Sequence, residues 1–431
     1  MSCIAAMATA ATMNWRVDFE YGTAHPPARA SRTAAHARQR QPAAHDTRAA
    51  GAGGFSEVVT PHALEPCVFG WDIGGAHVKA CQMQGGEVLD VAQWPCPLWL
   101  GLGQLERVLH AARARWPALA AARHAVTMTG EMVDLFANRE DGVRRIAPAL
   151  THVLADGADA ASVHFFAGDA GWCSAADVPA RWEAIASANW LATARHAAQC
   201  FATGVLVDIG STTTDLIAFR AGRVLTASRT DAQRLAAGEL VYHGVVRTPL
   251  CALARRIVWR GTPHNVMNEF FATTADVYRL TGELDPAHDL QPSADNAAKD
   301  GAATRQRLAR MIGLDARDAA DDEWQVFARS WRDAQIAELG SQLRGVITTH
   351  ELGREAVVVS AGCGDFLVHD VLENARAGAP GPFPACRLAA YGRDVARVAA
   401  HAGADRDGVQ AGAQVCAPCV AVATLFDLDT R

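Results

Sequence analysis

Two short segments carry the residues best suited to chemistry. One is Asp72-Ile73-Gly74-Gly75, with Lys79 further on; the other is Asp208-Ile209-Gly210-Ser211-Thr212-Thr213, with Asp215 further on. Glycine permits a tight turn and lets successive backbone N–H groups close around an anion. The hydroxyls of Ser211, Thr212 and Thr213 add donors, and the carboxylates of Asp72 and Asp208 are hard oxygens of the kind that hold hydrated Mg²⁺. The chemistry implied is the binding of a phosphate or diphosphate with Mg²⁺. A single such loop is also what an ordinary hairpin turn provides. Two copies in register favour phosphate.

The flanking residues must place these loops. Each Asp closes an apolar run, Val68-Phe69-Gly70-Trp71 or Val205-Leu206-Val207, and an extended segment follows. The offset that carries Asp72 onto Asp208 also carries Gly74 onto Gly210, Gly86 onto Gly222 and Val88 onto Val224. Each copy therefore continues into a hairpin, turning at Gly85-Gly86 or Ala221-Gly222. A repeat of this length implies two related lobes and not a solenoid. Lys79 falls where the second copy has Asp215, so one loop offers a cation where the other offers a carboxylate.

The first lobe spans residues 66–200. It reads as helix over 102–116, strand from His124 to Gly130-Glu131, and strand over 163–166, which implies a parallel-rich α/β sheet. Ligands of such sheets gather at the carboxyl ends of the strands. Glu131 stands at one such end as a candidate substrate contact, with Asp134 behind it. Asn189 precedes a helix over 190–200 and suits either an N-cap or a ligand contact.

The second lobe spans 201–426 and holds a helical insertion over about 232–350. Helical spacing would put Glu239, Tyr242, His243 and Arg247 near one face, either lining the cleft or solvated. Arg305, Arg307 and Arg310 read as a solvated helix face. Val357-Val358-Val359-Ser360-Ala361-Gly362-Cys363-Gly364-Asp365-Phe366 reads as a buried strand, a Gly turn over 360–365 and a helix start. A strand at 387–390 and an Ala-rich helix close the chain.

The 431 residues exceed what one core usually serves. The 40 basic and 46 acidic residues give a net charge of −6, with no basic footprint for nucleic acid and no polybasic patch for a membrane. Small soluble substrates are the expected partners, and a homo-oligomer is left open. Residues 1–60 are rich in Ala, Arg, His and Pro without periodicity, and read as a disordered extension, in keeping with an upstream start codon. The eleven cysteines lack framework spacing and suit reduced thiols in the cytoplasm. Cys416-Ala417-Pro418-Cys419 has no second CxxC to complete a zinc site.

The two loops and the Ser360–Asp365 turn resemble the phosphate and nucleoside-side loops of the actin, heat-shock chaperone and sugar kinase superfamily. Within it the chain resembles the hydantoinase A and oxoprolinase group, and closer still the proteins of tetrahydromethanopterin-linked one-carbon transfer, whose archaeal relatives include a methanofuran-pathway synthase. The match runs over about residues 66–426, and is carried by Ser187–Ala194, Gly238–Pro249, Tyr278–Leu284 and Arg307–Gly313. The resemblance implies a duplicated actin-like, ribonuclease H-like α/β fold. It implies transfer of an aminomethylfuran-methyl group from its diphosphate to the phenol of gamma-glutamyltyramine or a similar acceptor, with Mg²⁺ on Asp72 and Asp208. Lys79 and the Gly74-Gly75 and Gly210–Thr213 loops would neutralise diphosphate. Asp208, Lys79 and Asp215 would be catalytic, Asp215 as the phenol base. Glu131, Asn189, Glu239, Arg247, Ser360, Gly362 and Gly364 would contact substrate. An ATP-dependent kinase or ATPase, with ATP between the loops, and a nucleotide-binding assembly subunit are the alternatives.

Overall fold

The computed structural model describes residues 67–155, 162–379, 386–400 and 405–431. The extension expected over 1–60 lies outside the described residues.

The chain opens with β1 (Val68–Ile73), β2 (His77–Gln84) and β3 (Glu87–Pro95), an antiparallel meander. Gly85 and Gly86 make the β2–β3 turn at φ 63° and 77°, backbone that glycine adopts without strain. There follow α1 (Gly103–Arg115), β4 (Arg123–Met128), α2 (Arg139–Leu154), β5 (Val163–Phe166), β6 (Trp172–Ser174) and α3 (Val178–Ile185). The sheet order is β3-β2-β1-β4-β5-β6, with β1, β4 and β5 parallel. Next come α4 (Asn189–Cys200), β7 (Thr203–Ile209), β8 (Thr214–Arg220), β9 (Arg223–Val224), α5 (Asp231–Ala237) and β10 (Leu240–Val241).

The inserted region holds α6 (Leu250–Leu253), the hairpin β11 (Arg256–Trp259) and β12 (Thr262–Asn265), α7 (Thr274–Thr281), α8 (Gly301–Arg310) and α9 (Asp321–Thr349). The chain then returns through β13 (Val357–Ala361), α10 (Val368–Ala377), β14 (Arg387–Ala390), α11 (Arg406–Val415) and α12 (Ala417–Asp429). The second sheet runs β10-β8-β7-β13-β14, with β9 also on β8 and with β7, β13 and β14 parallel. Both lobes thus build an antiparallel meander and then add parallel strands to the side of the first strand. This repeated order is the two-lobe, actin-like α/β fold.

Strand alternation sends side chains to opposite faces. Phe69, Trp71 and Ile73 enter a core with α1, α2 and α3. Val205, Val207 and Ile209 face the insertion, where Trp324, Phe327 and Trp331 of α9 are buried, each contributing about 2–3 kcal/mol. A third core joins the lobes: Val68, Cys81 and Ala125 of the first sheet meet Leu206, Ile217 and Phe219 of the second through α4 and α12.

That core corrects the division at residue 200. Helix α4 packs on β7, β8 and β9 of the second sheet, whereas α12 packs on β1, β2 and β4 of the first. Each lobe is completed by a helix from the other side of the boundary in the chain.

The insertion differs from expectation in two places. Residues 238–249 are not helical: Gly238 ends α5 in the left-handed region at φ 72°, and a two-residue strand and a loop follow. Arg307 is not solvated. It is fully buried and ion-paired with Asp276 at 2.7 Å and Asp295 at 3.1 Å. Among the described residues no single helix is long and apolar enough to cross a membrane.

Candidate active site

The two Asp-Gly loops meet across one cleft. In the first, Gly74 N–H donates to His77 O at 2.9 Å; in the second, Gly210 N–H donates to Thr213 O at 2.8 Å. The strand registers match as well, Asp72 lying opposite Lys79 and Asp208 opposite Asp215. Asp72, Gly74, Gly75 and Lys79 share a cavity of about 430 Å³ with Asp208, Gly210, Ser211, Thr212, Thr213 and Asp215.

Burial sets the charges here. Asp72 is 5% exposed, and its Oδ1 has no hydrogen-bond partner among the described residues. Burial raises its pKa, opposed by Lys79. Asp208 is pushed up to about 7, by burial first and by neighbouring Asp215 second, with Lys79 opposing. Burial also works against the Lys79 ammonium, but Asp72, Cys416 and Asp208 around it raise its pKa overall. Lys79 Nζ donates to Val415 O at 3.2 Å, at the carbonyl end of α11, where a helix favours a cation. The site is thus two carboxyl groups and an ammonium held in little water. Such a set can take a multiply charged anion together with a divalent cation, because each would relieve the desolvation of the other.

The non-helical stretch 240–247 supports the second loop. Val245 N–H donates to Gly210 O at 3.1 Å, and Arg247 N–H donates to Ser211 O at 2.8 Å. Gly244 is required by this contact, since a Cβ there would lie 2.3 Å from Thr212 N. Arg247 reaches the cavity with Nη1 3.4 Å from Thr212 Oγ1. Glu239 does not. It is buried, accepts from Thr226 Oγ1 at 2.6 Å and sits 3.4 Å from His350 Nε2. The expected shared face fails because Gly238 stops the helix that would have formed it.

Asp215, expected as the phenol base, is tied to Arg234, which is 2% exposed and also faces Asp231 at 3.5 Å. Burial raises the Asp215 pKa and Arg234 lowers it. Its carboxylate holds Arg234 in the cavity wall and itself lines the cavity.

The Ser360–Asp365 turn offers only Cys363 to the cavity. Ser360 Oγ accepts from Gln414 Nε2 at 3.2 Å, Gly362 N–H donates to Gln414 O at 2.8 Å and Gly364 N–H to Ile209 O at 2.8 Å. These residues pack behind the second loop and do not line this cavity. Gly362, at φ +88°, permits a close approach: a Cβ there would lie 2.5 Å from Asp208 Oδ1.

Asn189 lines the cavity at the first turn of α4, its Oδ1 accepting from Trp190 N at 2.8 Å. Glu131 sits behind the wall, 1% exposed, accepting from Ser187 Oγ at 2.7 Å. Burial pushes it up to about 7, with the Ser187 hydrogen bond opposing. Arg139 stands 3.7 Å from Glu131 and 3.5 Å from Asp231, an ion pair from one lobe to the other.

Sequence reasoning missed Trp99, Met132, Asp231, Arg234 and His288, all of which line the cavity. The apolar run at Leu98-Trp99-Leu100 between Pro97 and Gly101 was a signal for an exposed turn. The others carried none.

A profile of the hydantoinase/oxoprolinase family matches residues 123–401. The chain belongs to this family. A protein from Methanocaldococcus jannaschii, named (4-{4-[2-(gamma-L-glutamylamino)ethyl]phenoxymethyl}furan-2-yl)methanamine synthase, is 28% identical over 307 residues, which covers 71% of this chain and 88% of the relative. A protein of the same name from Methanococcus vannielii is 29% identical over 168 residues, covering 39% of this chain and 74% of the relative. Among solved structures, a ROK hexokinase from Thermus thermophilus aligns with a TM-score of 0.39 at 18% identity, over 84% of this chain and 99% of that chain.

Proposed function

We propose that this member of the hydantoinase/oxoprolinase family is a transferase of furan-cofactor biosynthesis in one-carbon metabolism. It would join an aminomethylfuran-methyl group, supplied as its diphosphate, to the phenol of gamma-glutamyltyramine or a similar acceptor. The observation that carries this reading is the single cavity in which both Asp-Gly loops, with Asp72 and Asp208, and Lys79 meet. The relatives' name supplies the product class, an aryl ether on a furanylmethyl carbon.

In the reaction, the bond from the furanylmethyl carbon to the diphosphate oxygen breaks and its electron pair leaves with diphosphate. A bond forms from that carbon to the phenolic oxygen, and the phenolic proton goes to a carboxylate or to solvent. The furan stabilises charge at the carbon, so the protein's task is to neutralise the leaving group and orient the phenol. Lys79, Arg247 and the hydroxyls of Ser211, Thr212 and Thr213 suit the first task.

The unpartnered Oδ1 of Asp72, with Asp208 on the same cavity, fits Mg²⁺, which commonly takes one or two carboxylates and fills its remaining positions with water and phosphate oxygens. When bound, Mg²⁺ would neutralise charge on the diphosphate. All cysteines among the described residues are free thiols, in keeping with a cytoplasmic setting.

The test is diphosphate release by the purified full chain with furanylmethyl diphosphate and gamma-glutamyltyramine, each alone and together, against ATP alone, with Mg²⁺ or EDTA. Release that needs both substrates, with the ether found by mass, and that EDTA stops, is the expected result. Phosphate release from ATP alone would replace this reading with that of a kinase or ATPase.

A further inference from the structure

The cavity has two chemically different ends, an inner one of charged groups and an outer one of large apolar side chains. At its mouth, Trp99, Met132 and Tyr242 are 37%, 47% and 55% exposed, yet all three line the cavity. Large side chains left uncovered around a concave site are the usual wall of a small-molecule pocket. Each aromatic is fastened to a phosphate loop. The turn bearing Trp99 is bonded to the first loop through Leu98 N–H to Gly75 O at 3.0 Å, and through Cys96 N–H to Ala76 O at 2.8 Å. Tyr242 begins the segment whose Val245 and Arg247 amides bond to Gly210 and Ser211. Arg247 links the two ends, with Nη1 3.4 Å from Thr212 Oγ1 and Cζ 5.6 Å from the centre of the Trp99 ring.

We propose that Trp99 and Tyr242 form the platform for an aromatic ring carried one carbon from the diphosphate, so that the site selects arylmethyl diphosphates over alkyl ones. This inference rests on the diphosphate reading of the cavity. A single guanidinium spans the distance between Thr212 and the Trp99 face, so a ring stacked there belongs to the donor, next to its leaving group, and not to the distant end of the acceptor. The chemistry is consistent with that placement. Positive charge that develops on the arylmethyl carbon lies against indole and phenol faces, which attract a cation, while the Arg247 guanidinium stays with the departing diphosphate. The platform therefore serves specificity and positions the reacting carbon.

Calorimetry on the full chain with Mg²⁺ and three probes, inorganic diphosphate, benzyl diphosphate and n-pentyl diphosphate, separates the outcomes. Wild type should bind the benzyl compound about tenfold more tightly than the pentyl compound. Trp99→Leu should abolish that preference while weakening inorganic diphosphate much less than the benzyl compound, Trp99→Phe should keep most of it, and Tyr242→Leu should reduce it. Equal weakening of all three probes in Trp99→Leu would make Trp99 a strut between the lobes and overturn the platform. Equal affinity of wild type for the benzyl and pentyl compounds would do the same. Absence of binding to any of the three would remove the diphosphate reading itself, and the platform with it.

Discussion

The two Asp-Gly loops have the same backbone, but the residues facing their aspartates are of opposite charge. In the first, Asp72 faces Lys79 across the strand pair; in the second, Asp208 faces Asp215. The first pair neutralises itself, whereas the second sets two carboxylates side by side and recruits Arg234 from α5 to balance them. Duplication copied the strands and the turn because hydrogen bonding fixes them. It left the facing position free, and the lobes diverged there. One loop keeps its cation on the strand, and the other draws its cation from outside the repeat.

The largest effect should come from breaking the second arrangement. Asp215→Ala leaves buried Arg234 with the 3.5 Å contact to Asp231 and the Trp190 ring 4.3 Å away but no close carboxylate, and should cost about 3 kcal/mol of stability, read by denaturant unfolding. Asp72→Ala, which leaves a more accessible ammonium, should cost less. If the two cost the same, the asymmetry has no energetic content.

Asp208→Asn should reduce turnover about a hundredfold with unfolding unchanged, because the amide weakens the hold on a cation while relieving repulsion from Asp215. Wild-type turnover in this variant would remove the loops from the site.

A third comparison lies on the first strand of each sheet. Gly70 and Leu206 occupy equivalent places, but α12 crosses so closely over β1 that a Cβ on Gly70 would lie 1.9 Å from Cys419 O. Gly70→Ala should therefore cost about 2 kcal/mol through displacement of α12, seen as a lower midpoint of thermal unfolding.

The last comparison is between pH values and concerns Glu131, the acid behind the cavity wall. Burial raises its pKa from an ordinary 4.5 to about 7. Over that interval the folded chain holds a proton that the unfolded chain has lost, so this group's contribution is full below about 4.5 and declines as pH rises through about 7. Glu131→Gln should flatten the fall in stability between pH 4.5 and 7. An unaltered pH profile would show that Glu131 titrates normally.

Much of this architecture was legible in the chain. The shared offset from Asp72 to Val88 and from Asp208 to Val224 predicted both meanders, because a Gly turn between apolar extended runs has few alternatives. Arg247 was legible as a cleft residue, although for a mistaken reason: helical spacing was read into a stretch that Gly238 terminates. Glu239 failed with the helix. Ser360, Gly362 and Gly364 failed differently, since a Gly turn that receives a ligand and one that receives another loop have the same sequence.

The sequence by itself determined the duplication, the paired Asp-Gly loops and the substitution of Lys79 by Asp215, because these depend on local turn chemistry and strand periodicity. The tertiary structure alone decided that α4 and α12 exchange lobes, that Arg234 balances Asp215, and that Trp99 and Tyr242 stand at one mouth. Those pairings join residues far apart in the chain, and no local preference records which distant partner will fill a buried charge or cover a sheet face.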